Sequence, residues 1–227
     1  MHAPATSRIP VELLLRAYRS GIFPMADHRS DAEVYWVEPR ERAIIPLDGL
    51  RLSKSFRKVL RQDRFRVTCD AAFDQVIGEC AAPREEHAES WISHRIEASY
   101  NALHLAGYAH SIECWRDGEL VGGLYGVGFD RVFCGESMFS RTDDASKVAL
   151  AWLVAAMRTA GYALLDCQFM TEHLARMGAV ALPQARYIDL LAQAEGHPSV
   201  SLPEAVSRFG AASSPGKAIV QSLTQTS

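Results

Sequence analysis

Apolar residues recur at two different periods along this chain, and the changes of period mark its elements. Over residues 10–24, Leu13, Leu14, Ala17 and Tyr18 fall at helical spacing, and Gly21 and Pro24 close the segment. A turn-rich stretch through Pro39 and Pro46 follows, which predicts a small N-terminal unit, residues 1–43, packed against the remainder. In RLSKSFRKVLRQDRFR, residues 51–66, Ser53 stands where an N-cap belongs, and Phe56, Val59 and Leu60 make an apolar stripe. Residues 72–82 and 89–106 also read as helices, the second carrying Ile92, Ile96, Tyr100, Leu103 and Leu105 before Gly107.

From Ala109 the period shortens. AHSIECW, a turn at Asp117-Gly118, ELVGGLYGVG, a turn near Asp130 and RVFCGESMF predict an antiparallel meander. Thr142 or Asp143 can then cap a long apolar helix, SKVALAWLVAAMRTA, that stops at Gly161. YALLDCQF reads as a buried strand, and Thr171 can cap a short helix, EHLARM, ending at Gly178. The order meander, helix, strand, helix is that of an α+β domain, residues 44–197, with helices on a mostly antiparallel sheet. Residues 198–227 are rich in Ser, Pro, Gly and Thr and are expected to be a mobile C-terminal tail.

Composition narrows the class. At 227 residues the chain can bury one sizeable core, and no apolar run approaches the span of a membrane helix. The N-terminal stretch MHAPATSRIPVELLLRAYRS lacks the layout of a secretory signal. Cys69, Cys80, Cys114, Cys134 and Cys167 are scattered and form no C-x-x-C, which argues against a disulfide framework or a zinc site and for the cytoplasm. The net charge of −3 suggests no nucleic acid, but its distribution does. Residues 51–66 hold seven basic side chains against the single acid Asp63, with Lys54, Arg57, Lys58 and Arg61 on the outward side. A solvated helix face usually mixes both signs, so a phosphate-binding patch is a live reading here.

The familiar catalytic motifs H-E-x-x-H, G-x-S-x-G and the P-loop are missing, and the glycines of GGLYGVG fit bulges or close backbone approach. His94, His104, His110 and His173 form no metal-like cluster and read as structural. Two strands stand apart. Glu136 sits amid Phe133, Met138 and Phe139, and Asp166 and Gln168 alternate with Leu165 and Cys167. Carboxylates in apolar strands are costly to bury without partners, so three polar side chains in neighbouring strands point to a site as well as to a structural ion pair.

The strings AYRSGIFP, AHSIECW, LVGGLYGV, FCGESMFS, ASKVAL and LLDCQ, in this order, resemble the leucyl/phenylalanyl-tRNA–protein transferases over roughly residues 10–195. The resemblance implies a small N-terminal domain and a GNAT acetyltransferase-like domain, no cofactor, and aminoacyl-tRNA as co-substrate. It implies that Glu136 holds the α-amino group of the aminoacyl moiety, with Asp166 and Gln168 the polar pair beside the ester. Leu124, Phe133, Met138, Leu153 and Leu165 would line the amino-acid pocket. Trp91 would stack on the 3′-terminal adenosine, and Lys54, Arg57, Lys58 and Arg61 fall where the family binds the acceptor stem. GIFP is commonly followed by a tryptophan beside that adenosine; here the position holds Met25, which cannot stack as indole does.

On this resemblance the enzyme would move Leu, Phe or Met from charged tRNA to proteins beginning with Arg or Lys, marking them for the N-degron pathway. It would act as a cytoplasmic monomer. Gln168 would orient the incoming amine while Asp166 fixes Gln168, the alternative being Asp166 as the base. An acetyl-CoA-dependent relative would cradle pyrophosphate on glycine-spaced amides, yet FSRTDDASK has no glycine and carries Asp143 and Asp144. An arginine-carrying transferase conflicts with the apolar pocket. A simple RNA-binding module leaves Glu136, Asp166 and Gln168 without a role.

Overall fold

The computed structural model describes residues 8–83 and 89–225. Residues 1–7 and 226–227, part of the N-terminal unit and tail read from the sequence, lie outside the described residues. The chain runs through α1 (Val11–Arg19), β1 (Phe23–Met25), β2 (Tyr35–Val37), β3 (Glu41–Ile45), α2 (Lys54–Arg61), β4 (Arg66–Cys69) and α3 (Phe73–Ala81). It continues through α4 (His94–Leu105), β5 (Ala109–Arg116), β6 (Glu119–Phe129), β7 (Val132–Ser140), α5 (Ala145–Ala160) and β8 (Leu164–Gln168). The last elements are α6 (Glu172–Met177), β9 (Val180–Pro183), α7 (Gln184–Gln193), α8 (Leu202–Gly210) and α9 (Pro215–Thr224).

The main sheet has seven strands in the order β4-β5-β6-β7-β8-β3-β9. All neighbours are antiparallel except β7 and β8. The expected meander is its centre. Helices cover both faces: α1, α3, α4 and α7 pack with one apolar cluster, and α2, α5, α8 and α9 with the other. Twelve of the sixteen residues of α5 are buried, so this helix is apolar almost all round, as its sequence indicates. The strands β1 and β2 form a separate hairpin with Met25 opposite Tyr35.

Caps follow the sequence where a hydroxyl is well placed: Ser53, Ser93 and Thr171 each accept a backbone N–H of the helix they start. Helix α5 differs. Its N-cap is Asp144 in the left-handed region, and neither Thr142 nor Asp143 caps it with a side chain. Instead the Ala145 N–H donates to the Thr142 carbonyl, and Asp144 pairs with Lys147 at 2.8 Å. In α1 the buried stripe is Leu14, Leu15 and Tyr18, while Leu13 is left exposed.

The sequence reading needs two larger corrections. Residues 198–225 are not a loose tail: α8 and α9 bury Leu202, Val206, Ile219, Val220 and Leu223 in the core, and Phe209 packs edge-on against Trp152. The helical signal was present as a capping box, since the Ser201 hydroxyl accepts the Glu204 N–H and Pro203 sits in the first turn. Second, β3 begins at Glu41 and pairs with β8 and β9, so residues 41–43 belong to the sheet and not to an N-terminal unit. Among the described residues no helix is long and apolar enough to cross a membrane.

Candidate active site

Parallel strands β7 and β8 are paired only from Val132↔Leu164 to Cys134↔Asp166. Beyond that point β7 stays with β6 and β8 stays with β3, so the sheet opens as a wedge. A cavity of about 290 Å³ fills the wedge. Leu124, Met138, Leu150, Leu153, Leu165 and Leu174 give it an apolar wall, and Phe23, Met25 and Trp91 also border it. Glu136 and Gln168 supply polar groups.

Backbone irregularities aim those two groups. The β6–β7 register slips between Tyr125↔Ser137 and Gly126↔Gly135, which leaves Glu136 as the extra residue of a β-bulge. Gly126 makes the bulge feasible: a Cβ there would lie 2.2 Å from the Cys134 carbonyl oxygen. Gln168 ends β8 in the left-handed region at φ 57, unusual for a residue with a Cβ, and its Nε2 donates to Glu136 Oε1 at 2.9 Å.

Glu136 is further held by the buried hydroxyls of Tyr18 and Tyr100, at 2.8 and 3.2 Å, and these two hydroxyls also touch each other. Three oxygen–oxygen contacts share two hydroxyl protons, so protonation of Glu136 would complete the set. Burial pushes the Glu136 carboxyl up to about 7, against the opposing pull of the Tyr18 and Tyr100 hydrogen bonds. Its charge is thus switchable near neutral pH.

Asp166 is wholly buried and does not border the cavity. Its Oδ1 accepts Arg42 Nε and the Gln168 N–H, both at 2.9 Å, and its Oδ2 accepts Arg42 Nη2 at 2.7 Å and the Tyr187 hydroxyl at 3.1 Å. The acceptor sites of the carboxylate are filled. Asp166 as direct base, the alternative kept open from sequence, is therefore at odds with the geometry. Burial pulls the Arg42 guanidinium down, but the charge and hydrogen bonds of Asp166 outweigh it and the net direction is up.

Of the five expected pocket residues, Leu124, Met138, Leu153 and Leu165 border the cavity and Phe133 does not. Phe133 is fully buried in the core, with its ring filling the space over Gly126. Trp91 and Met25 stand at the cavity. The Trp91 segment is braced from the N-terminal unit, where Arg29 donates to the Ile92 carbonyl at 2.7 Å and pairs with Glu97. Lys54, Lys58 and Arg61 are exposed on α2, and none of these or Arg57 pairs with a carboxylate among the described residues. Arg57 is partly held by the Leu52 carbonyl at 3.1 Å.

Sequence reasoning missed Arg42, Tyr18, Tyr100 and Tyr187, because nothing local sets them apart. His104 and His110 are structural, bonded to the Ala109 carbonyl and to Asp70. His173 instead borders the cavity, its Nε2 without a partner, and burial lowers its pKa. Among the described residues no group of three or more His, Cys, Asp or Glu side chains could hold a metal ion.

An apolar pocket with a carboxylate and an amide on its wall suits an amine carrying an apolar side chain, as in an enzyme that handles activated amino acids. Residues 44–192 match the leucyl/phenylalanyl-tRNA protein transferase family, and residues 7–40 match its N-terminal domain. The leucyl/phenylalanyl-tRNA–protein transferase of Novosphingobium aromaticivorans is 66% identical over 187 residues, 82% of this chain and 71% of its own length. That of Rhizorhabdus wittichii is 57% identical over 188 residues, 83% of this chain and 76% of its own. The chain belongs to the leucyl/phenylalanyl-tRNA–protein transferase family and is an aminoacyltransferase. A conserved protein of unknown function from Staphylococcus epidermidis superposes at a TM-score of 0.43 with 11% identity, over 80% of this chain and 67% of that one.

Proposed function

We propose that this enzyme transfers Leu, Phe or Met from charged tRNA to the N-terminal Arg or Lys of acceptor proteins, marking them for the N-degron pathway. The observation that carries the reading is the apolar cavity bordered by Glu136 and Gln168. The aminoacyl side chain occupies the leucine-rich part, and its ammonium meets Glu136, whose charged form that ammonium favours. Trp91 and Met25 flank the terminal adenosine, while Lys54, Arg57, Lys58 and Arg61 take the phosphates of the acceptor stem.

The acceptor's α-amine has an ordinary pKa of about 8, so a useful fraction is neutral near pH 7. It attacks the ester carbonyl; the carbon–nitrogen bond forms, the ester bond to the ribose breaks, and a proton passes from nitrogen to the departing ribose oxygen. Holding both reactants together can supply roughly 7–11 kcal/mol of the barrier, so no strong base is needed. Gln168 orients the amine through its amide oxygen, with its Nε2 committed to Glu136, and Asp166 fixes Gln168.

A charged amino-acid side chain would be buried unpaired, at a cost of several kcal/mol, which excludes Arg as the transferred residue. Leu and Met differ by only about 1–3 kcal/mol in such a pocket. The wedge between β7 and β8 supports a GNAT-like fold. A monomer acting in the cytoplasm, without a cofactor, completes the reading.

The test compares leucyl-, phenylalanyl-, methionyl- and arginyl-tRNA as donors to a protein beginning with Arg or Lys, with acetyl-CoA as control donor. Transfer from the first three supports the proposal. Transfer from arginyl-tRNA would overturn the specificity, and failure with an Arg- or Lys-led acceptor would overturn the acceptor assignment.

A further inference from the structure

The guanidinium of Arg42 is wholly buried and bound on every side. Two of its nitrogens meet the two oxygens of Asp166 at 2.9 and 2.7 Å. The third, Nη1, donates to the Gly21 carbonyl at 3.0 Å, at the base of the β1–β2 hairpin. The ring of Phe23, a cavity residue, lies 4.9 Å from the Arg42 Cζ, and the ring of Tyr187 lies 4.4 Å away. Gly21 sits at φ 75, where a side chain is strained, and a Cβ there would displace the ends of Gln184 and Ile188, each 2.8 Å away. One flat cation therefore ties β3, the hairpin and α7 to the strand that carries Gln168.

That strand needs the tie. Gln168 holds a left-handed backbone, which is strained for a residue with a Cβ, and its N–H is fixed by the same Asp166 oxygen that Arg42 Nε engages. Without Arg42, Asp166 would be a buried carboxylate lacking its counter-charge and two of its four donors, and would rotate in search of others. That rotation frees the Gln168 backbone and the direction of its amide.

We propose that Arg42 is a positioning residue for aminoacyl transfer: it holds the Asp166 carboxylate in one orientation, and through Asp166 it holds Gln168 with its amide aimed at Glu136. The role rests on the reading of Asp166, Gln168 and Glu136 given above. It requires the two-pronged donor geometry of a guanidinium. A lysine ammonium keeps the charge but presents a single point, and cannot engage both Asp166 oxygens and the Gly21 carbonyl together.

The experiment measures kcat, KM for aminoacyl-tRNA and melting curves for Arg42→Lys, Arg42→Ala, Asp166→Ala and the double variant Arg42→Ala/Asp166→Ala. Arg42→Lys should lower kcat by about tenfold or more while tRNA affinity stays within about threefold, because α2 and Trp91 are untouched. Added guanidinium ion should restore part of the kcat of Arg42→Ala and none of that of Asp166→Ala. The double variant should be no slower than Asp166→Ala, as expected of a residue that acts only through Asp166. Arg42→Lys with wild-type kcat, or losses that multiply in the double variant, would overturn the role. Should Arg42→Ala not fold, Arg42→Lys with a wild-type melting curve decides the matter alone. Full activity in Asp166→Ala would instead remove the Asp166–Gln168 reading, whereas a slow Asp166→Ala beside a fast Arg42→Lys removes only Arg42.

Discussion

The proton on Glu136 links stability and activity in opposite senses. With its carboxyl pushed up to about 7 by burial, Glu136 binds a proton more tightly in the fold than in the unfolded chain. Between the ordinary carboxylate range and about pH 7 the unfolded state therefore holds fewer protons, and stability falls as pH rises through that window. Glu136→Gln removes the dependence. Relative to wild type it should gain up to about 3 kcal/mol between pH 4.5 and pH 8, measured by chemical denaturation at both values. An equal difference at the two pH values would contradict a perturbed carboxyl. Transfer should be impaired in the same variant, most clearly above pH 7, where wild-type Glu136 is charged and the amide cannot pair with an ammonium. The polar members on the cavity wall were legible in sequence because a carboxylate and an amide stand out in apolar strands. Their holders were not. Tyr18 lies 118 residues from Glu136, Arg42 lies 124 from Asp166, and Arg42 in sequence looks no different from exposed Arg40 two positions earlier.

Helix α2 carries its charge on an N-capped, amphipathic frame, with Phe56 and Leu60 buried and the cations turned out. Reversing both Arg57 and Arg61 to Glu should weaken binding of every tRNA alike and lower the steepness of its salt dependence by roughly one to two in log–log slope. Binding titrations from low to moderate salt read both effects; an unchanged slope would take α2 out of the interface. The sequence shows this helix, the meander and α5 because each is long enough for its period to repeat. The short strands β4 and β9, of four residues each, lie within stretches where no period can establish itself. Strand β3 was hidden between Pro39 and Pro46, which read as loop punctuation although both flank the strand. Composition misled most at α8 and α9: serines, prolines and glycines suggested a tail, yet Ser201 and Pro203 start a helix and Leu202 and Val206 anchor it.

The C-terminal helix is a brace for the basic one. At Gly216 the backbones of α9 and α2 come so close that a Cβ would lie 1.8 Å from the Leu60 carbonyl oxygen, and the Gly216 N–H donates to Asp63 at 2.6 Å. Gly216→Ala must push α9 away. We expect a loss of about 1–3 kcal/mol and a fall in Tm of several degrees, read by thermal melting; an unchanged Tm would mean the contact relaxes freely. The sheet order has another consequence. Strand β3, made early, lies between β8 and β9, made late, so Arg42 must wait for a partner 124 residues downstream. Pairings of such sequence separation form slowly and cannot begin while the later strands are still inside the ribosome. A nascent chain that has not yet emerged through Pro183 can hold its central meander but has no completed sheet around β3, and it still lacks the Tyr187 hydroxyl that completes the clamp on Asp166. On the roles proposed for Gln168 and Glu136, transfer has to await release of most of the chain, and a chain cut short before that point is left with unpaired edges on β3.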